Sequence, residues 1–129
     1  MGSQIVMTID ANIIIAYLAG EQEVIETLSQ FRREGKILLL PTIVEAEVLS
    51  FSGWTKEECL ATESFLEENF TSILFDRHLA KLSAEIRRHT KLKFHDAAIA
   101  ATALATNTPL ITRNIRDFKK VPRLSLLKI

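Results

Sequence analysis

The 129-residue chain is short of several things, and each shortage removes a class of explanation. Its single cysteine, Cys59, cannot close an internal disulfide; it suits a reducing cytosol and a structural place on a helix. With 4 Gly and 3 Pro there is no low-complexity stretch and no linker. No apolar run approaches the roughly 18 residues of a membrane span, so no membrane association is expected. The first apolar run carries Asp10 and lacks a basic flank, which argues against a signal peptide and for a cytoplasmic protein. Aromatic residues make up 7%, so platforms for stacking bases are scarce. There is no Cys/His set at zinc spacing, and no Ser–His or Cys–His signature of a side-chain nucleophile.

What is present is ordinary in bulk: 47% hydrophobic and 25% charged residues, enough for one domain with a real core over residues 1–129. Residues 1–3 read as a cloning remnant or a disordered start. The net charge of zero hides a division. Residues 1–78 hold 5 Lys/Arg against 13 Asp/Glu, while residues 79–129 hold 11 against 3. This division suggests an acidic site beside a basic face rather than a uniformly basic nucleic-acid glove.

The elements alternate. "QIVMTI" (4–9), "KILLL" (36–40), "TSILF" (71–75), "PLIT" (109–112) and "LSLLKI" (124–129) read as short apolar strands. Between them fall helical patterns over 21–35, 42–51, 55–70, 76–90 and 95–107, and the run after Asp10 can also continue as helix. The second of these opens with Thr42 and Glu45, the third with Thr55 and Glu58, both in capping-box spacing. Gly35 is a natural stop for the first. Short buried strands alternating with helices imply α/β: a short, mainly parallel sheet with helices on both faces.

In such a sheet ligands sit at the carboxyl ends of strands, and that is where the acids fall. Asp10 closes the first strand, Glu47 lies in the helix after the second, Asp96 opens the Ala-rich helix, and Asp117 follows "PLIT". Asp96 could instead cap its helix, and Asp117 could be a turn residue. Asp10 is hardest to explain structurally, because an acid at the end of a buried strand is costly. If these carboxylates converge, pairs about 5 Å apart repel by roughly 3 kcal/mol at an effective dielectric near 20. A hard divalent cation, Mg²⁺ or Mn²⁺, is the natural neutraliser. His95, beside Asp96, reads as structural or exposed rather than as a ligand.

Taken together, "TIDANIIIAYL", "TIVEAEVL", "HDAAIAATAL" and "LITRNIRDF" resemble a PIN-domain ribonuclease of the VapC-type toxin group, from the first strand to the C-terminus. The resemblance implies that Asp10, Glu47, Asp96 and Asp117 form a metal site for one or two Mg²⁺ or Mn²⁺ ions. It gives Asn12 the polar place closing an Asp-x-Asn opening and Thr112 a hydroxyl accompanying the last acid. Ala11 stands where many relatives have Thr. Asn114 stands where some carry an acid, so the fourth site residue is either Asn114 or Asp117. The implied chemistry is metal-assisted hydrolysis of RNA phosphodiesters, leaving 5′-phosphate and 3′-hydroxyl ends.

A basic flank would bring the polyanion to an acidic pocket. Arg87, Arg88, Lys91, Lys93, Arg113 and Arg116, with Lys119 and Lys120, are the candidates for phosphate contact; Arg87 and Arg88 also suit a helix C-terminus. The resemblance further implies a cognate VapB-type antitoxin, which would supply any sequence-specific DNA binding, and a homodimer, with "ECLATESFL" (58–66) as a possible apolar contact. The alternatives are a PIN-type RNA-processing nuclease without antitoxin, or a non-catalytic acidic-pocket regulatory or binding domain. A phospho-receiver or an Asp-x-Asp phosphatase fits less well, because Ala11-Asn12 follows Asp10 without a second acid.

Overall fold

The computed structural model describes residues 5–129; the expected remnant or disordered start at residues 1–3, and Gln4 of the first expected strand, lie outside them. The elements run β1 (Val6–Ile9), α1 (Ala11–Leu18), α2 (Gln22–Arg33), β2 (Ile37–Pro41), α3 (Thr42–Leu49), α4 (Lys56–Asn69), β3 (Thr71–Ile73), α5 (Arg77–His89), α6 (Phe94–Ala105), β4 (Leu110–Ile111), α7 (Ile115–Phe118) and β5 (Leu126–Leu127). The strands form one sheet in the order β3-β2-β1-β4-β5, and every pairing is parallel. Each expected strand is found, though trimmed at one or both ends. The four-residue α7 was not expected.

From β1 the chain steps through β2 to β3 on one side, then returns to place β4 and β5 on the other. Right-handed crossovers in opposite directions put their helices on opposite faces. The strand order therefore reverses between β1 and β4, and a crevice opens beyond their carboxyl ends. The register pairs Ile9 with Ile111, so the next residues, Asp10 and Thr112, come side by side at that crevice.

The core is built from the apolar runs. Ile9, Ile13, Ile14, Leu40, Ile99 and Ile111 are fully buried, each burial worth about 1.5–3 kcal/mol. Ala97, Ala98, Ala100, Ala101 and Ala103 are also fully buried, and their small side chains let α6 lie close among its neighbours. This fixes the helix that carries Asp96.

Helix ends show which local signals won. Thr55 and Glu58 form the expected capping box at α4. Thr42 and Glu45 do not form theirs: α3 starts directly after Pro41 with no side-chain cap, because the Thr42 hydroxyl instead accepts the Phe75 backbone N–H at 3.1 Å. A link from the start of α3 to the residues after β3 replaced a local one. Gly35 ends α2 as expected at φ +74°, with Gly35 N–H on Arg32 O and Lys36 N–H on Phe31 O, the paired bonds of a Schellman turn. Gly20, at φ +85°, closes α1 the same way.

Candidate active site

The crevice holds a cavity of about 230 Å³ lined by Asp10, Asn12, Glu47, Lys93, His95, Asp96, Asn114 and Asp117. The acids expected to converge do share this cavity, and both candidates for the fourth place, Asn114 and Asp117, are in it. Asn114 Nδ2 donates to Asp117 Oδ2 at 3.1 Å, so the two side chains are joined within the cavity.

Asp10 is better supported than its sequence setting suggests. It is the N-cap of α1: Oδ1 accepts the Ala11 N–H at 2.7 Å, and Oδ2 accepts the Thr112 hydroxyl at 2.7 Å. The buried acid thus has two partners, which offset part of its cost. Thr112 serves the first acid, not the last, because strand register sets it opposite Asp10. Its oxygen also accepts the Asn114 N–H at 2.9 Å and the Asn12 amide at 3.4 Å, while Asn12 Oδ1 accepts the Arg113 N–H at 3.3 Å. The loop leading to Asp117 is therefore laced to the end of β1.

Asp96 stands third in α6, whose N-cap is Lys93, and it makes no capping bond. The capping alternative fails there. Asp96 is 8% exposed, with His95 Nε2 3.2 Å from its Oδ1. Glu47 is exposed, and it lines the cavity.

Burial raises the pKa of Asp10 above the ordinary 3.8, the Thr112 and Ala11 hydrogen bonds pull it back, and the charges of Asp96 and Glu47 push it up further. Asp96 is raised too, first by burial; His95 and Lys93 oppose this, and Asp117 adds to it. Carboxylates that repel one another in a half-dry pocket form a hard, oxygen-rich donor set suited to Mg²⁺ or Mn²⁺. Among the described residues no three His, Cys, Asp or Glu side chains stand close enough together to hold a metal ion between them.

The basic candidates separate. Lys93 lines the cavity. Arg113 is turned away, its Nη1 and Nη2 each 3.0 Å from the Glu21 carboxylate in a bidentate fork. Arg87 Nε donates to Leu92 O at 3.2 Å, and Arg88 borders a separate hollow on α5 with His78 and Lys81. Lys120 Nζ is 3.8 Å from Asp117. Lys91, Arg116 and Lys119 are exposed and outside the cavity lining.

A second concavity, about 530 Å³, adjoins the first at Glu47 and is otherwise mostly apolar, with Ile15, Leu18, Val48, Phe51 and Trp54 in its walls. Phe51 and Trp54 meet edge to face at 5.6 Å. This groove is formed by α1, α3 and the α3–α4 loop. Among the described residues no helix is long and apolar enough to cross a membrane.

A parallel sheet with acids gathered at its reversal point defines an α/β protein with an acid-lined crevice beyond its strand ends. The sequence matches the model of the PIN domain family over residues 7–124, and the chain belongs to that family. It is 32% identical over 77 residues to a ribonuclease VapC of Rickettsia bellii, an overlap of 56% of this chain and 58% of that protein. It is 26% identical over 132 residues to ribonuclease VapC1 of Rickettsia felis, covering 95% of this chain and 96% of the relative. Among solved structures, a toxin–antitoxin complex from Klebsiella pneumoniae contains a chain of the same fold, with a TM-score of 0.76, 28% identity, and coverage of 94% and 95% of the two chains.

Proposed function

We propose that the protein is a divalent-metal-dependent endoribonuclease that hydrolyses RNA phosphodiesters and acts as the toxin of a toxin–antitoxin pair. The observation that carries this reading is the single cavity lined by Asp10, Glu47, Asp96 and Asp117 at the sheet's reversal point. Similarity to ribonucleases named VapC supports the substrate class.

Asp10 and Asp96 would hold the ion, with Glu47 and Asp117 contributing directly or through water, and Mg²⁺ or Mn²⁺ fits these donors. When bound, the ion offsets phosphate charge and acidifies a water for attack. The chain's own residues supply the rest. Thr112 and the Ala11 N–H fix both Asp10 oxygens, so that carboxylate needs little reorganisation. Asn12 and Thr112 hold the loop backbone, and Asn114 orients the Asp117 carboxylate.

Similarity to a chain of the Klebsiella toxin–antitoxin complex supports a restraining partner, and the exposed apolar groove is read as its seat. A homodimer working in the cytoplasm belongs to the same reading. The test is purified, partner-free protein incubated with mixed structured RNAs in Mg²⁺, Mn²⁺ or EDTA. Cleavage in either metal, abolished by EDTA and by Asp96→Asn, is expected. No metal-dependent cleavage, or equal cleavage by wild type and variant, would sink the nuclease reading.

A further inference from the structure

An acid-lined pocket repels its own polyanionic substrate, so a cation has to meet the phosphate inside it. The basic residues nearby are mostly committed elsewhere. Arg113 is forked onto Glu21, Arg87 holds a backbone carbonyl, and Arg88 borders a different hollow. Lys120 lies beside Asp117 at 3.8 Å, and among the described residues Lys93 is the Lys or Arg side chain that lines the cavity with Asp10 and Asp96.

The backbone that presents Lys93 is unusually well fixed for a connection between helices. Leu92, just before it, is 5% exposed and anchors in the core. The Leu92 carbonyl accepts from Arg87, and its N–H donates to the Thr90 hydroxyl at 3.3 Å. The Lys93 carbonyl accepts the Ala97 N–H at 3.0 Å, the first bond of α6. The side chain itself is exposed and makes no ion pair among the described residues. A long ammonium on a pinned base, within electrostatic reach of Asp96, is suited to a point-charge contact with a mobile phosphate oxygen.

We propose that Lys93 is the residue that engages a non-bridging oxygen of the scissile phosphate and seats the RNA backbone against the carboxylates. This rests on the nuclease reading and assigns the substrate contact within that site. Arg113 is thereby removed from the phosphate-contact set, since its guanidinium is forked onto Glu21.

The test separates binding from cleavage. Binding of a fluorescently labelled, mixed-sequence single-stranded RNA is measured in Mg²⁺ over a range of KCl, in the Asp96→Asn background to prevent turnover. Adding Lys93→Gln should weaken binding about tenfold and make the salt slope shallower by about 0.7, the loss of one phosphate contact on a single strand. Lys93→Arg should restore binding to within about threefold of lysine, because it keeps the charge. In the otherwise wild-type protein Lys93→Gln should lower kcat/KM about tenfold. Unchanged affinity and slope, with only a lower melting temperature in EDTA, would reduce Lys93 to a counter-charge for the acids and overturn the proposal. If wild type cleaves RNA and Lys93→Gln cleaves equally well, this assignment falls while the nuclease reading stands. If wild type never cleaves but the salt slope depends on Lys93, the nuclease reading falls and the phosphate contact survives.

Discussion

The acid pocket and the apolar groove beside it meet at Glu47 and differ in almost everything else. In the pocket, burial is the cost: Asp10 and Asp96 are taken out of water and hold their protons above the ordinary range. In the groove, exposure is the cost: Ile15 is 49% and Phe51 61% exposed, although both are apolar. One region crowds carboxylates together and the other lacks apolar cover. On the proposed reading each is completed by something outside the chain, a cation in one and a protein partner in the other. Residues that serve only one region should therefore separate cleavage from restraint.

The largest expected effect lies in the pocket. Asp96→Asn should lower metal-dependent RNA cleavage by at least about 100-fold, beyond the 10–100-fold typical of residues that merely support a metal ligand. Single-turnover cleavage with Mn²⁺ measures it; an intact rate would dissolve the contrast between the two regions. Next is the groove. Trp54→Ala should leave cleavage by the free protein within about twofold but weaken inhibition by the cognate partner about 30-fold, the scale of a buried aromatic contact. Loss of cleavage alone would mean that the groove belongs to the chemistry.

A smaller effect concerns Asp10 and pH. Its folded pKa is raised above the unfolded 3.8, so the folded state binds the extra proton and metal-free stability falls as pH rises through the raised value. Asp10→Asn should abolish cleavage yet raise the melting temperature in EDTA at neutral pH by about 2–5 °C, the equivalent of about 1 kcal/mol. It should also flatten that pH dependence. A fall in melting temperature would show that the Thr112 and Ala11 hydrogen bonds outweigh burial and repulsion. The smallest effect is at the rim: Glu21→Gln should leave the melting temperature unchanged within error, since the pair with Arg113 is exposed. It should still speed amide exchange at Arg113 and Asn114, which hydrogen-exchange mass spectrometry reads.

Local chemistry carried most of the fold and much of the site. The alternation of apolar strands with helices gave the layers, and acids placed just after strands gave the pocket. What stayed hidden was set by partners far along the chain. Thr42 and Glu45 have the spacing of a capping box, but Phe75, 33 residues away, claims the Thr42 hydroxyl. Thr112 looks like a companion of Asp117 in sequence; the pairing of β1 with β4 gives it to Asp10, 102 residues off. Glu21 carries no signal of its own, because its partner Arg113 is 92 residues away. Helix α7 is too short to show a period. The groove was missed because Ile15, Leu18, Phe51 and Trp54 are unremarkable until α1 and the loop after α3 bring them together.

The two hydrogen bonds to Asp10 limit which substitutions the site can accept. One oxygen is held by the residue immediately after it and the other by a neighbouring strand. Side-chain length at this position is therefore set by the frame of the protein as well as by any ion. Glutamate, an exchange that keeps the charge and adds one methylene, would carry its oxygens past both donors at once. The mildest replacement on paper is thus closed to a drifting lineage, and aspartate here should be as fixed in length as it is in charge.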